Sequence, residues 1–242
     1  MSAPRIHLDA TLTTGAELTL PEGPARHVAA VLRLREGAAL TLFDGHGREA
    51  AAVLVEATRK RVVARIEAVT AGRGESPLAV HLGQAISKGD RMDYAIQKAV
   101  ELGVAAITPL YTEHGDVRLK GERAAKKLAH WQGVASSACE QSGRATVPTI
   151  HPPQALGEWL AGRDDALRLV LHPATDTTWQ QAGEISSAAL LIGPEGGLSP
   201  AEVDAATTAG FTPLTLGPRI LRTETAPVVA LTLLQHYFGD LG

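Results

Sequence analysis

The chain is poor in cysteine: Cys139 is the only one in 242 residues. One thiol builds neither an intramolecular disulfide nor a cysteine-based metal site. Aromatics are scarce as well, 4% of the chain against 45% hydrophobic residues, so Ala, Val and Leu must fill the core. No uninterrupted apolar run reaches the length of a membrane span. Met1-Ser2-Ala3-Pro4-Arg5 opens without the apolar stretch of a secretory signal. A reducing cytoplasm is the expected setting, with no membrane partner. The common active-site signatures are missing too. There is no G-x-S-x-G elbow, no phosphate-binding G-x-x-x-x-G-K-[ST], no H-E-x-x-H, and no G-x-G-x-x-G after a strand. The nine histidines are scattered without ligand spacing, and no metal is expected.

Strong positive charge is also absent. The net charge is -3, which as a whole-chain figure does not describe a basic nucleic-acid binder. The balance is uneven, however. Residues 1–73 carry 10 Lys and Arg against 8 Asp and Glu, and residues 74–242 carry 13 against 18. The basic excess lies in the N-terminal part. There Arg26, His27, Arg33 and Arg35 gather around a short helical stretch from Pro24 to Leu32. They read equally as phosphate contacts or as ordinary surface arginines.

What the chain does hold is a change of pattern. Residues 1–70 read as short strands around that helical piece, at Leu18–Leu20, Ala39–Phe43, Glu49–Val55 and Arg61–Val69, as in a small barrel. Ala71-Gly72-Arg73-Gly74-Glu75-Ser76-Pro77 reads as a linker. This divides the chain into 1–73 and 74–242. Beyond the linker, strands alternate with helices. Leu78–Ala85, Val104–Tyr111, Leu167–Leu171, Ala188–Ile192 and Leu214–Leu216 read as strands. Helices are expected from an Asp90 cap, over Glu122–Gln141, over Gln154–Ala161, after Ser199-Pro200-Ala201-Glu202, and over Ala226–Phe238 with Val229, Leu233 and Tyr237 inward. Such alternation predicts an α/β domain with a mostly parallel sheet covered on both faces.

Three strand ends then stand out: Leu171-His172-Pro173, Ile192-Gly193-Pro194-Glu195-Gly196-Gly197 and Leu216-Gly217-Pro218. In open α/β sheets, ligands sit beyond the carboxyl ends of strands. These loops offer backbone groups and few charges, which suits a flat heterocycle with a polar tail better than a polyphosphate. Arg219, Arg222 and Glu224 follow at the edge. An arginine there would hold a phosphate or an anionic reaction centre, or tie loops together through Glu224.

Several blocks together resemble the bacterial small-subunit ribosomal RNA uridine-N3 methyltransferases, the RsmE type of the SPOUT superfamily. They are His81-Leu82-Gly83-Gln84-Ala85 with Lys88-Gly89-Asp90-Arg91-Met92; Gln97-Lys98 with Glu101-Leu102-Gly103-Val104; Glu140-Gln141-Ser142-Gly143-Arg144; Leu191-Ile192-Gly193-Pro194-Glu195-Gly196-Gly197; and Leu216-Gly217-Pro218-Arg219-Ile220-Leu221-Arg222-Thr223-Glu224-Thr225-Ala226. The resemblance covers nearly the whole chain. It implies a PUA-like N-terminal barrel for RNA and a SPOUT-type parallel sheet with a C-terminal trefoil knot. It implies S-adenosylmethionine as cofactor, a homodimer, and a uridine of 16S rRNA in the small ribosomal subunit as substrate. The cofactor would lie against Leu171, His172 and Pro173, the Ile192–Gly197 turn, and Leu216, Gly217, Pro218, Leu221 and Thr225. Arg222 and Glu224 would carry the chemistry. Arg5, Arg26, Arg33, Lys88, Arg144 and Arg219 would contact RNA. One departure is clear: where the family has Ser/Thr-Glu-Arg, this chain reads Thr112-Glu113-His114. Methyl transfer to another RNA, or RNA binding without catalysis, are the rival readings.

Overall fold

The computed structural model describes residues 3–173 and 183–242. The chain falls into two compact units, Met1–Glu75 with Ser136–Val147 and Ser76–Ala135 with Pro148–Gly242. Segment 136–147 lies within the second domain of the sequence reading, yet it packs with the first unit.

The N-terminal unit is a five-stranded sheet. Its strands are β1 (Arg5–His7), β2 (Glu17–Thr19), β3 (Ala39–Phe43), β4 (Arg48–Ala57) and β5 (Val62–Ala71), in the order β1-β3-β4-β5-β2. Only the β1–β3 pair is parallel. Alternating residues of β3 to β5, among them Leu40, Leu42, Ala52, Leu54, Ala64 and Ile66, build one apolar core with Ile6, Leu20 and Val28. Register shifts in the β4–β5 ladder mark irregularities that bend a strand pair. The helical piece is α1 (Glu22–Arg26), which runs directly into a π-helical turn over His27–Val31. Its one buried residue, Val28, joins that apolar core. Behind the turn Arg33 takes φ +55°, the only non-glycine left-handed residue among the described residues.

Segment 136–147 is stitched to this sheet through both backbone and charge. The Val147 N–H donates to Gly45 O at 3.0 Å, and the His7 N–H donates to Glu140 Oε1 at 3.0 Å. Arg144 Nη2 donates to Glu75 Oε2 at 2.7 Å, and Arg5 bonds both Glu49 Oε2 at 2.8 Å and Arg144 O at 3.1 Å.

The second unit holds the parallel sheet. Its strands are β6 (Ala79–Ala85), β7 (Ala106–Tyr111), β8 (Thr149–Ile150), β9 (Gln154–Ala155), β10 (Leu167–Leu171), β11 (Ser187–Ile192) and β12 (Thr212–Leu214). The order is β12-β10-β11-β6-β7-β8, with β9 also on β7, and every pair is parallel. The helices are α2 (Arg91–Glu101), α3 (Gly121–Ser142), α4 (Leu156–Ala161), α5 (Pro200–Thr208) and α6 (Thr225–Phe238). Ala189 and Leu191 of β11 pack with Trp159 and Leu160 of α4 and with Phe211 behind α5. Their neighbours on β11 point to the opposite face by the strand's two-residue period, and α6 packs against that strand.

The Ser199–Glu202 capping box forms as the sequence predicts, with Pro200 at the first helical position. Three expectations change. Asp90 occupies the cap of α2 but makes no side-chain cap hydrogen bond. Strand β12 ends at Leu214, two residues early, because Thr215 and Leu216 leave the ladder to wall a cleft. Its Pro213 is tolerated because β12 is an edge strand. Finally, α6 buries Ala226, Ala230, Leu231, Leu234 and Gln235 rather than Val229, Leu233 and Tyr237. That helix is apolar on most sides, so spacing of its large residues does not select a face.

Candidate active site

The carboxyl ends of β10, β11 and β12 bring together the three loops singled out in the sequence. They wall a cleft of about 720 Å³. Leu171, His172 and Pro173 stand on one side, and Ile192 to Leu198 on another. Leu214 to Leu216 and Arg219 to Glu224 close it. The chain reverses direction across the sheet here: β11 follows β10 on the side toward β6, and β12 returns past β10 to the edge. A ligand cleft belongs at such a switch point. Of the residues expected to hold a cofactor, Gly217, Pro218 and Thr225 are outside the lining. Gly217 instead makes the turn possible, at φ +89°. Thr225 begins α6, its N–H donating to Arg222 O at 2.9 Å.

The loop geometry is held by short local bonds. His172 N–H donates to Leu214 O at 3.0 Å, locking the first loop to the third. Gly197 N–H donates to Pro194 O at 2.9 Å and closes the central turn. His114 packs on that turn: its Nδ1 is 3.2 Å from Gly197 O, and a Cβ on Gly196 would stand 3.1 Å from His114 Cβ. A carbonyl oxygen only accepts, so Nδ1 is the protonated nitrogen.

Charge surrounds the apolar floor. Glu195 Oε1 accepts from Arg91 Nη1 at 2.7 Å and from the Lys88 N–H at 3.4 Å. Burial pushes the Glu195 carboxyl up, but hydrogen bonds from its own backbone, from Arg91 and from Lys88 outweigh this and hold it below the usual carboxylate range. Lys88 pairs with Asp116 and keeps that carboxyl low as well. Lys88 is therefore engaged within the unit. Arg219 and Arg222 are exposed, and neither forms an ion pair among the described residues. Glu224 is half-buried, and its Oε2 is buried with no hydrogen-bond partner among the described residues. Sequence reasoning did not single out Arg91, Leu214, Thr215 or Thr223, all of which line the cleft.

The remaining expected RNA contacts lie in the N-terminal unit. Arg26 and Arg33 are exposed on and beside the π-helical turn, with Val31 and Leu32 uncovered between them. Arg5 and Arg144 are different. Arg144 is 4% exposed and bound to Glu75, and Arg5 bonds Glu49 and the Arg144 carbonyl. Each of these two has a carboxylate partner close by in space and distant in sequence.

An arginine-rimmed, apolar cleft at a strand switch point, in a chain that also carries a small β domain with surface arginines, has the architecture of a small-ligand enzyme acting on nucleic acid. The match to known families narrows this class. Residues 74–235 match the family model described as an RNA methyltransferase domain, and residues 20–67 match the RNA methyltransferase PUA domain. The chain is 36% identical to ribosomal RNA small subunit methyltransferase E of Buchnera aphidicola, over 98% of both chains. It is 33% identical to the protein of that name from Bacillus subtilis, over 87% and 86%. Its fold is similar to ribosomal RNA small subunit methyltransferase E of Neisseria gonorrhoeae bound to S-adenosyl methionine, with TM-score 0.93, 41% identity and full coverage of both chains. A Legionella pneumophila protein in complex with SAM gives TM-score 0.97 at 43% identity, again with full coverage. The chain belongs to the ribosomal RNA small subunit methyltransferase E family.

Proposed function

We propose that the protein transfers a methyl group from S-adenosylmethionine to N3 of one uridine in 16S rRNA. The observation that carries this reading is the cleft at the ends of β10, β11 and β12. About 720 Å³ is in the range for a ligand of nucleoside size. Leu171, Ile192, Leu214, Leu216 and Leu221 offer apolar surface to a purine, and the Gly193–Gly197 turn offers backbone groups to its polar parts. The residues present therefore fit the cofactor. When bound, it supplies an activated sulfonium methyl, so the protein need only orient the acceptor and manage its proton.

That proton is on uridine N3, which must lose it. Arg222 stabilises the resulting anionic uracil, as a guanidinium beside a developing charge does. Glu224 takes the proton. Two features support this over a role in holding Arg222: no ion pair joins Glu224 to Arg222 among the described residues, and the Glu224 Oε2 has no donor. Arg219, exposed at the mouth, contacts the flanking phosphates, and Arg26 and Arg33 of the N-terminal unit contact others. The base is splayed out of its strand to enter the cleft. The reading includes the family's C-terminal trefoil knot, a homodimer, and action on 16S rRNA in the cytoplasm.

Two measurements test it. Calorimetry should detect S-adenosylmethionine binding to the isolated protein. Mass spectrometry of 16S rRNA nucleosides should show N3-methyluridine lost in a strain lacking the gene and restored by it. Unchanged N3-methyluridine in that strain refutes the reading.

A further inference from the structure

Three polar side chains behind the cleft form a hydrogen-bond chain whose direction follows from chemistry. Gln84, one residue before the end of β6, is fully buried, and Ser87 and Thr223 are each 6% exposed. Gln84 Nε2 lies 3.3 Å from Ala85 O and 3.1 Å from Thr223 Oγ1. A carbonyl only accepts, so the amide nitrogen must be the atom facing Ala85. That nitrogen also donates to the Thr223 hydroxyl, whose single hydrogen is then left for Gly193 O at 2.8 Å. Ser87 Oγ adds longer contacts, 3.5 Å to both Ala85 O and Thr223 Oγ1.

The chain runs one way, from β6 to the Thr223 loop to the residue just after β11. Gln84 is the register partner of Ile192, so its backbone sits beside the strand that launches the Gly193 turn. Thr223 stands between Arg222 and Glu224, and both its hydrogen-bond capacities are used to fix it. Gln84 Oε1, by contrast, is buried with no hydrogen-bond partner among the described residues. A stranded acceptor in a dry interior is unfavourable, and a Met of similar shape would remove it. The amide is therefore retained for what its nitrogen does.

We propose that Gln84 and Thr223 are positioning residues, which hold Arg222 and Glu224 at a fixed place against the Gly193 turn before any ligand arrives. This rests on the methyl-transfer reading. Neither residue needs to touch the reacting atoms; Gln84 does not line the cleft at all.

Thr223→Val removes the hydroxyl and keeps the shape. At saturating cofactor and RNA, its kcat should fall about tenfold or more, the effect of one lost hydrogen bond with a stranded partner. The melting temperature of this variant should fall by a few degrees, because Gly193 O and Gln84 Nε2 lose a buried partner, and the S-adenosylmethionine dissociation constant should change less than kcat does. Thr223→Ser should restore kcat. Gln84→Met should repeat the loss, and the double variant should be no slower than the slower single one, because both break one chain. If Thr223→Val does not fold, Gln84→Met alone carries the test by the same kcat readout. A wild-type kcat in folded Thr223→Val or Gln84→Met, or losses that multiply in the double variant, overturns the proposal. Wild-type protein that neither binds S-adenosylmethionine nor methylates 16S rRNA would instead overturn the reading beneath it.

Discussion

Arg222 and Glu224 sit two residues apart and face different surroundings. Arg222 is exposed at the cleft mouth, and its backbone carbonyl starts α6 by accepting from the Thr225 and Ala226 N–H groups, both at 2.9 Å. Its backbone is thus fixed while its guanidinium is left for a ligand. Truncation should therefore remove a charge without disturbing the fold. Arg222→Ala is expected to lower kcat by about a hundredfold or more, the usual size for a lost donor at a developing anion. The S-adenosylmethionine affinity, measured by calorimetry, should stay within a few fold. A variant that keeps full turnover would remove Arg222 from the chemistry. That both residues line the cleft was readable from the sequence, because charged groups just past a glycine-punctuated strand end tend to stand at a site. Thr223 between them was not. Its partners Gln84 and Gly193 are 139 and 30 residues away, and no local pattern announces such a contact.

The element most unlike its neighbours is the π-helical turn over His27–Val31 with the left-handed Arg33 behind it. The sequence predicts a helix there but cannot show that it widens into an i→i+5 turn, or that Arg33 turns left-handed. Both are local departures from low-energy backbone, and such departures collect at functional sites. Glycine would relieve the strain at position 33, so arginine is retained for its side chain. Arg33→Gly is expected to leave the melting temperature unchanged or slightly higher, because about 1–2 kcal/mol of left-handed strain is offset in part by the greater freedom of glycine in the unfolded chain. RNA affinity should fall, and the slope of log K against log salt should shrink by about 1 for one lost phosphate contact. An unchanged slope would take this turn out of the RNA footprint. The strands around it were easier to read, since Ala39–Phe43 forms the strand that its short apolar run predicts. Helix α6 was harder: with apolar residues on most sides, its buried face is chosen by the sheet it meets and not by its own spacing.

At the scale of the whole chain, the sequence shows where the pattern changes but not that the N-terminal unit is discontinuous. Segment 136–147 is the end of α3 and the turn after it, and by pattern it continues the helical half of the chain. What assigns it to the β unit is tertiary: Glu75 Oε1 accepts from the Thr146 N–H at 3.1 Å, and its Oε2 from Arg144 at 2.7 Å. The Gly47 N–H donates to Ala145 O at 3.2 Å. Arg144 is the centre of this seam. Its side chain is 5% exposed, whereas that of Glu75 is 35% exposed, so water partly compensates Glu75 if its partner is lost. The Arg144→Leu variant should destabilise the protein by about 2 kcal/mol, a charged hydrogen bond broken in a largely dry site. That is less than a fully buried pair would lose. Circular dichroism melting should reveal it, with the loss present at low salt and still present at 0.5 M salt, since a buried pair is poorly screened. Cofactor affinity should hold, because Arg144 and the cleft belong to different units. An Arg144→Leu protein as stable as wild type, with weakened RNA binding alone, would return this arginine to the RNA-contacting surface that its sequence context first implied.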